Sequence, residues 1–419
     1  MTQLLVLAVK SGWNRRLSLG LTLVAIALSV TLLLGIERLK QEARRSFAQS
    51  VSGVDLVVGA RGSPLQLMLY AVFRMGQATN NLSWAGAQSL ARHPAVAWTV
   101  PLSLGDSHRG FPVLGTTSAY FEHFRYGERR SLALSSGRRF EQLFDAVLGA
   151  EVAQRLGYRV GERITLAHGT GDIHLAEHAD KPFTVSGILE RTGTPVDRTV
   201  HVSLQAIEAI HLDWQGGAPI PGLSIPAQQV TKFDLTPTAI TAVLVGLKSR
   251  AAVFAVQRQI SEYPEPLTAV LPGVALDELW QVVGVAERSL ELMSLLVVAV
   301  GLAGLVAVIM ATLNERRREL AILRSVGARP ADVFLLLTLE GAGVTVAGAL
   351  AGLLLVNAVF LGLGSLAEAH FGIALRWAFP GTGELQLLAA VTTLGVAASL
   401  LPGYRAYRLS LADGMSPRL

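Results

Sequence analysis

Histidines crowd one stretch of the chain: His168, His174, His178, His201 and His211, with Asp172, Glu177 and Asp180 among them. Imidazole and carboxylate together make the donor set of a zinc site. His174 and His178 are four apart, which puts both rings on one face if the segment is helical. Gly169, Gly171 and Pro182 favour a loop or hairpin instead. Histidines solvated on a polar lobe are the commoner arrangement, so no bound metal is expected, and His174 and His178 are kept as weak candidates. The chain has no cysteine, which excludes disulfides, thiolate metal sites and cysteine nucleophiles. It also lacks G-x-x-x-x-G-K-[ST], G-x-S-x-G and H-E-x-x-H. Gly246-Leu247-Lys248-Ser249 is the nearest fragment to a phosphate loop, but it lacks the upstream glycine. No catalytic residue is expected, and no ATP hydrolysis by these residues.

A second stretch has a different character. Residues 314–330, NERRRELAILRSVGARP, are densely charged yet lie between two of the most apolar segments of the chain. Glu315 and Arg318 are spaced to pair on a helix. Leu313, Leu320 and Leu323 fall along one face as an apolar ridge. Gly327 fits a helix C-cap, and Pro330 fits the first turn of the next helix with Asp332 close behind. A solvated loop would need neither the ridge nor the glycine stop. The pattern predicts a rigid lateral helix at a membrane surface.

Two features lie inside an apolar run. Glu340 is an acid within a span, a functional candidate by default. No second intramembrane acid or histidine accompanies it, so a role in holding the helices together is preferred over ion or proton transfer. Gly348 and Gly352 form G-x-x-x-G, which lets another helix approach closely. The spacing alone leaves open whether that helix belongs to the same subunit or to a second one.

The elements that must position these residues follow from composition. The chain has 419 residues, 51% hydrophobic and only 16% charged, with a formal charge of +5. That apolar excess points to a membrane protein. Residues 17–36 carry no charge and are long enough to cross a hydrocarbon core of about 30 Å. The expected plan is a cytoplasmic N-terminus and first span (1–36), a large outer domain with helical stalks (37–291), and a second span (292–313). A cytoplasmic helix (314–331), a third span (332–366), a short outer loop (367–383), a fourth span (384–404) and a cytoplasmic tail (405–419) follow. Arginine is concentrated at the N-terminus, in 314–330 and in the tail, which strict alternation places on one side. Within the outer domain, strands are predicted over 54–58, 95–104, 110–115, 163–167, 183–189, 199–202 and 241–247, and helices over 146–156 and 251–261. The fold class is therefore membrane α-helical, four transmembrane helices with a large α+β extracytoplasmic domain between helices 1 and 2.

The motif Glu315 to Ala328, E-R-x-R-E-L-A-I-L-R-S-V-G-A, resembles the cytoplasmic helix of the FtsX-like permeases, the four-span ABC subunits typified by MacB and LolC/LolE. The tail from Leu401 to Arg408 and on to Met415 is similar to that family's closing P-x-x-R-A segment, and the resemblance extends to the whole plan. It implies an ABC transporter permease in a bacterial inner membrane. ATP and Mg would be bound by a separate ATPase dimer, and no cofactor by this chain. Glu315, Arg316, Arg318, Glu319, Leu320, Ile322, Leu323, Arg324 and Gly327 would form the coupling surface, with Leu320 and Leu323 as docking anchors. A second permease copy or paralogue, membrane lipid and a periplasmic partner are the other expected partners; nucleic acid is not. The alternative is a transmembrane regulator, also ATPase-driven, that activates an extracytoplasmic enzyme.

Overall fold

The computed structural model describes residues 16–50, 52–76, 78–169, 176–215, 218–220, 223–315, 317–371 and 377–408. These divide into two compact units. One holds the residues up to Glu42 together with those from Gly284 onward; the other is Ala43–Val283. Both boundaries fall inside long helices.

The first unit is helical. Helix α1 is Arg16–Gln49. Helix α2, Leu204–His211, belongs to the other unit. Helices α3 (Pro272–Glu315), α4 (Arg317–Ser325), α5 (Pro330–Phe371) and α6 (Thr382–Arg408) follow. Four of these helices, α1, α3, α5 and α6, are long and apolar enough to cross a membrane. At about 1.5 Å per residue, α3 with its 44 residues extends well beyond a core of about 30 Å. Ile26 and Val30 of α1, Leu305 of α3, Val356 of α5 and Val391 of α6 share one buried cluster.

Close helix contact is made by small residues. Gly348 and Gly352 face α1: an added Cβ would meet Ile26 Cγ2 at 2.8 Å from Gly348 and the Ala27 carbonyl oxygen at 2.7 Å from Gly352. Thr31 on α1 donates across this contact to the Gly352 carbonyl at 3.2 Å. The G-x-x-x-G motif thus packs α5 against α1 within one chain. Gly341 meets Ser399 in the same way, which packs α5 against α6.

The second unit is an α+β domain. Its main strands are β1 (Leu56–Ala60), β2 (Val96–His108), β3 (Phe111–Thr116), β4 (Leu134–Gly137), β5 (Asp145–Leu148), β6 (Ala167–His168), β7 (Phe183–Leu189), β8 (Val200–Ser203), β9 (Ala242–Leu247) and β10 (Leu267–Val270). The sheet order is β10-β1-β9-β2-β3-β8-β5-β7-β4. The long strand β2 joins its two halves. Residues up to Leu102 pair with β9, and residues from Ser103 pair with β3. The stretch 146–156, expected to be a single helix, is split: β5 occupies its start, and a helix runs only over Ala150–Leu156. Every residue of β5 is buried, and a short buried strand has no alternation to distinguish it from a helix. Gly149, in an extended conformation, is the N-cap where the helix begins, and a Cβ there would collide with the Val196 and Asp197 carbonyls.

Candidate functional site

Helix α4 lies between α3 and α5 and is closed by a Schellman motif. Gly327 has φ +107°. The Ala328 N–H donates to the Leu323 carbonyl at 3.0 Å, and the Gly327 N–H to Arg324 at 3.1 Å. The next helix then starts at Pro330, where the Asp332 carboxylate accepts from the Arg329 N–H at 2.8 Å. These caps fix the angle between α4 and α5.

The side chains of α4 correct the expected docking ridge. Leu320 is only 5% exposed and sits in the bundle core with Leu313, Val333, Leu337 and Ala406. Leu323 is half-buried against the same cluster. Leu320 thus packs into the chain's own bundle and does not stand free as an anchor. The apolar residues that face outward are Ile322, 63% exposed, and Val326, 83% exposed. Glu319 is exposed beside them, and Arg324 is half-buried. Arg316, and the side chains of Glu315 and Arg318, lie outside the described residues.

Glu340 is buried on α5. The bundle holds a second buried acid that the sequence reading missed. Glu384 on α6 is bonded to Arg38 of α1, and Arg38 also donates to Asn357 Oδ1 on α5 at 2.7 Å. Arg38, expected in a helical stalk of the outer domain, is 7% exposed and belongs to the helical unit.

The outer-domain histidines are not solvated in the way expected. His178 and His201 are 1% and 0% exposed. His201 is buried beside Tyr120 and Phe121, apart from the others. His168, His178 and His211 come together with Asp106, and one ligand atom from each of the four lies within 4.8 Å of the other three. The topology accounts for this. In the antiparallel pairing of β6 with β2, His168 stands directly opposite Asp106. Next in the chain, Ala176–Glu177 pairs back on β6, and the His178 N–H donates to the Leu166 carbonyl at 2.8 Å. His211 ends α2. Trp214 packs against His178 with the rings tilted by 40° and their centroids 4.2 Å apart. Burial pushes the Asp106 carboxyl up, but His168 and His211 outweigh it and hold the group at about 2. Burial is the main reason the His178 imidazole is pushed down to about 4. His174 and Asp172 lie outside the described residues. Asp106 carried no sequence signal, because it is far from the histidines in the chain and meets them only through strand register.

Residues 19–263 match the MacB-like periplasmic core domain, and residues 291–411 match the FtsX-like permease C-terminal region. The chain is 23% identical over 426 residues to the macrolide export ATP-binding/permease protein MacB 1/2 of Paracoccus denitrificans, covering 98% of this chain and 58% of that protein. It therefore spans less than two thirds of that relative. It is 25% identical over 297 residues to the lipoprotein-releasing system transmembrane protein LolC of Neisseria meningitidis, covering 66% of this chain and 67% of that one. Among solved structures, the periplasmic region of MacB from Actinobacillus actinomycetemcomitans aligns at TM-score 0.33 and 11% identity, over 55% of this chain and 94% of that one. With a MacB-like periplasmic core domain joined to an FtsX-like permease region, the chain belongs to the ABC transporter permease family of MacB and LolC type.

Proposed function

We propose that the chain is the membrane subunit through which a separate ABC ATPase moves a periplasmic domain, in order to export, extract or extrude a substrate. The observation that carries this reading is the outward face of α4. Ile322 and Val326 are apolar and exposed at a site held rigidly by the Leu320 anchor and the Gly327 cap. An apolar pair rimmed by charge is the form of a docking surface. Arginine in the N-terminal segment, in residues 314–330 and in the tail supports a topology with these three in the cytoplasm and the α+β domain in the periplasm of a bacterial inner membrane.

ATP and Mg would be held by the ATPase, and this chain would be non-catalytic. Helices α1 and α3 run unbroken past the length a membrane needs, so closure of the ATPase can reach the outer domain through stiff rods. A second permease copy or paralogue completes the transporter, as ABC assemblies use two permease halves. The names of the relatives point to macrolides and lipoproteins as substrate classes to test first.

The test is reconstitution in lipid nanodiscs with the cognate ABC ATP-binding subunit. Stable co-purification, and ATP hydrolysis that changes in the presence of the chain, support the proposal. An ATPase that neither binds the chain nor changes its rate overturns it.

A further inference from the structure

The cluster around Asp106 brings three donor atoms to the spacing of metal ligands. Asp106 Oδ1 lies 3.2 Å from His168 Nδ1 and 3.4 Å from His211 Nε2, and those two nitrogens are 3.3 Å apart. Three donor atoms thus form a nearly equilateral triangle. Zinc bonds of about 2.0–2.1 Å in a tetrahedron place neighbouring ligand atoms about 3.3–3.4 Å apart. The observed edges match one face of such a tetrahedron.

The proton count points the same way. His211 Nδ1 is 2.8 Å from the Ile207 carbonyl oxygen, so it carries the proton and donates there. In the neutral ring this turns the Nε2 lone pair toward Asp106 and His168. A backbone carbonyl that fixes the tautomer of a ligating histidine is the usual outer support of a metal site. Protons on the two rings can satisfy the edges from Asp106 Oδ1 to His168 Nδ1 and His211 Nε2 but leave the two nitrogens facing each other, whereas a metal ion satisfies all three edges.

His178 supplies an independent observation. It is buried, yet among the described residues neither ring nitrogen has a hydrogen-bond partner. A buried polar atom without a partner is costly, and this ring offers its ligand atom to the same cluster.

We propose that Asp106, His168, His178 and His211 bind one zinc(II) ion in the outer domain. Three imidazoles and one carboxylate give a closed, four-ligand set, which is the form of a structural site. The ion would tie together β2, the hairpin that follows β6 and the end of α2, which lie far apart in the chain. The lysine and acids nearby, Lys181 with Asp180 and Asp213, are already paired with one another and are not needed as ligands. This proposal does not depend on the transport reading.

The full-length chain, purified in detergent with a tag that contains no histidine, is stripped with chelator and titrated with zinc. Elemental analysis is expected to find about one tightly held ion per chain. Cobalt(II) in its place is expected to give the intense visible bands of a tetrahedral site. His178→Ala and His211→Ala should each weaken zinc binding more than 100-fold, while His93→Ala, elsewhere in the domain, leaves it unchanged. The cobalt spectrum is read on the unaltered chain, so it tests the site even if a variant fails to fold. A stripped chain that takes up no zinc at micromolar concentration overturns the proposal. So does a cobalt spectrum without tetrahedral bands, or a His178→Ala or His211→Ala chain that binds as tightly as the original.

Discussion

Arg38 grips Glu384 through two parallel bonds, Nε to Oε1 at 2.7 Å and Nη2 to Oε2 at 2.8 Å, within the helical bundle. With Asn357 as a third partner, the guanidinium joins α1, α5 and α6. The fork geometry of arginine suits a carboxylate in a way lysine does not. Removing one partner strands a buried charge, at a cost of about 3–5 kcal/mol, whereas replacing both by apolar residues is close to neutral. Arg38→Met and Glu384→Leu should each lower the thermal stability of the full chain in detergent. The double variant should recover most of the loss. Single variants that melt with the unaltered chain would refute this account of the pair.

The glycine contact between α1 and α5 predicts a position-specific effect. Gly352→Val would drive side-chain atoms into the Ala27 carbonyl and Val30, and overpacking of this kind costs about 1–3 kcal/mol. Gly362, on the same helix, has nothing within 4 Å of an added Cβ. Gly362→Val should therefore leave the melting temperature in detergent unchanged while Gly352→Val lowers it. Equal effects would contradict the packing assigned to the motif.

His201 predicts a pH dependence. Burial, with Arg74 adding to it, pushes this imidazole down to about 3, against 6.5 for an ordinary histidine. The unfolded chain therefore binds a proton that the folded chain rejects between those values. The stability contributed by the neutral ring is fully present above about pH 6.5 and is lost as pH falls toward 3. Between pH 7 and pH 5 that loss amounts to about 2 kcal/mol. His201→Leu should flatten the pH dependence of outer-domain unfolding by about this amount, followed by tryptophan fluorescence in denaturant. Parallel curves for the two chains would rule the assignment out.

The two faces of α4 predict opposite phenotypes. Leu320→Ala removes a side chain from the bundle core and should cost about 2–4 kcal/mol of stability. Ile322→Glu with Val326→Glu alters only the outward face and should leave stability unchanged while abolishing association with the ATPase. Stability is read by melting in detergent and association by co-purification. The reverse pattern would restore Leu320 and Leu323 as the docking residues.

These contrasts show what the amino-acid order reveals and what it does not. The bundle was legible because a membrane span is a local property: about 20 apolar residues suffice. The end of α4 was legible for the same reason, as Gly327 and Pro330 act on their immediate neighbours. The direction of Leu320 was not, because periodicity identifies an apolar face without saying whether it meets the chain's own bundle or a partner. Arg38 and Glu384 are 346 residues apart, and Asp106 and His168 are 62 apart. Only the tertiary fold brings such pairs together. Strand β5 was misread because four buried residues carry no period.

The central claim is that α4 meets an ATPase through its outward face, and cross-linking tests it most directly. The chain has no cysteine, so an introduced one is unique. Val326→Cys, treated with a short thiol-to-amine cross-linker in membranes that contain the cognate ABC ATP-binding subunit, should yield a covalent product of the two chains. Leu354→Cys, exposed on the spanning part of α5, should not. An ATPase that co-purifies with the chain yet never cross-links to Ile322→Cys or Val326→Cys would contradict the account.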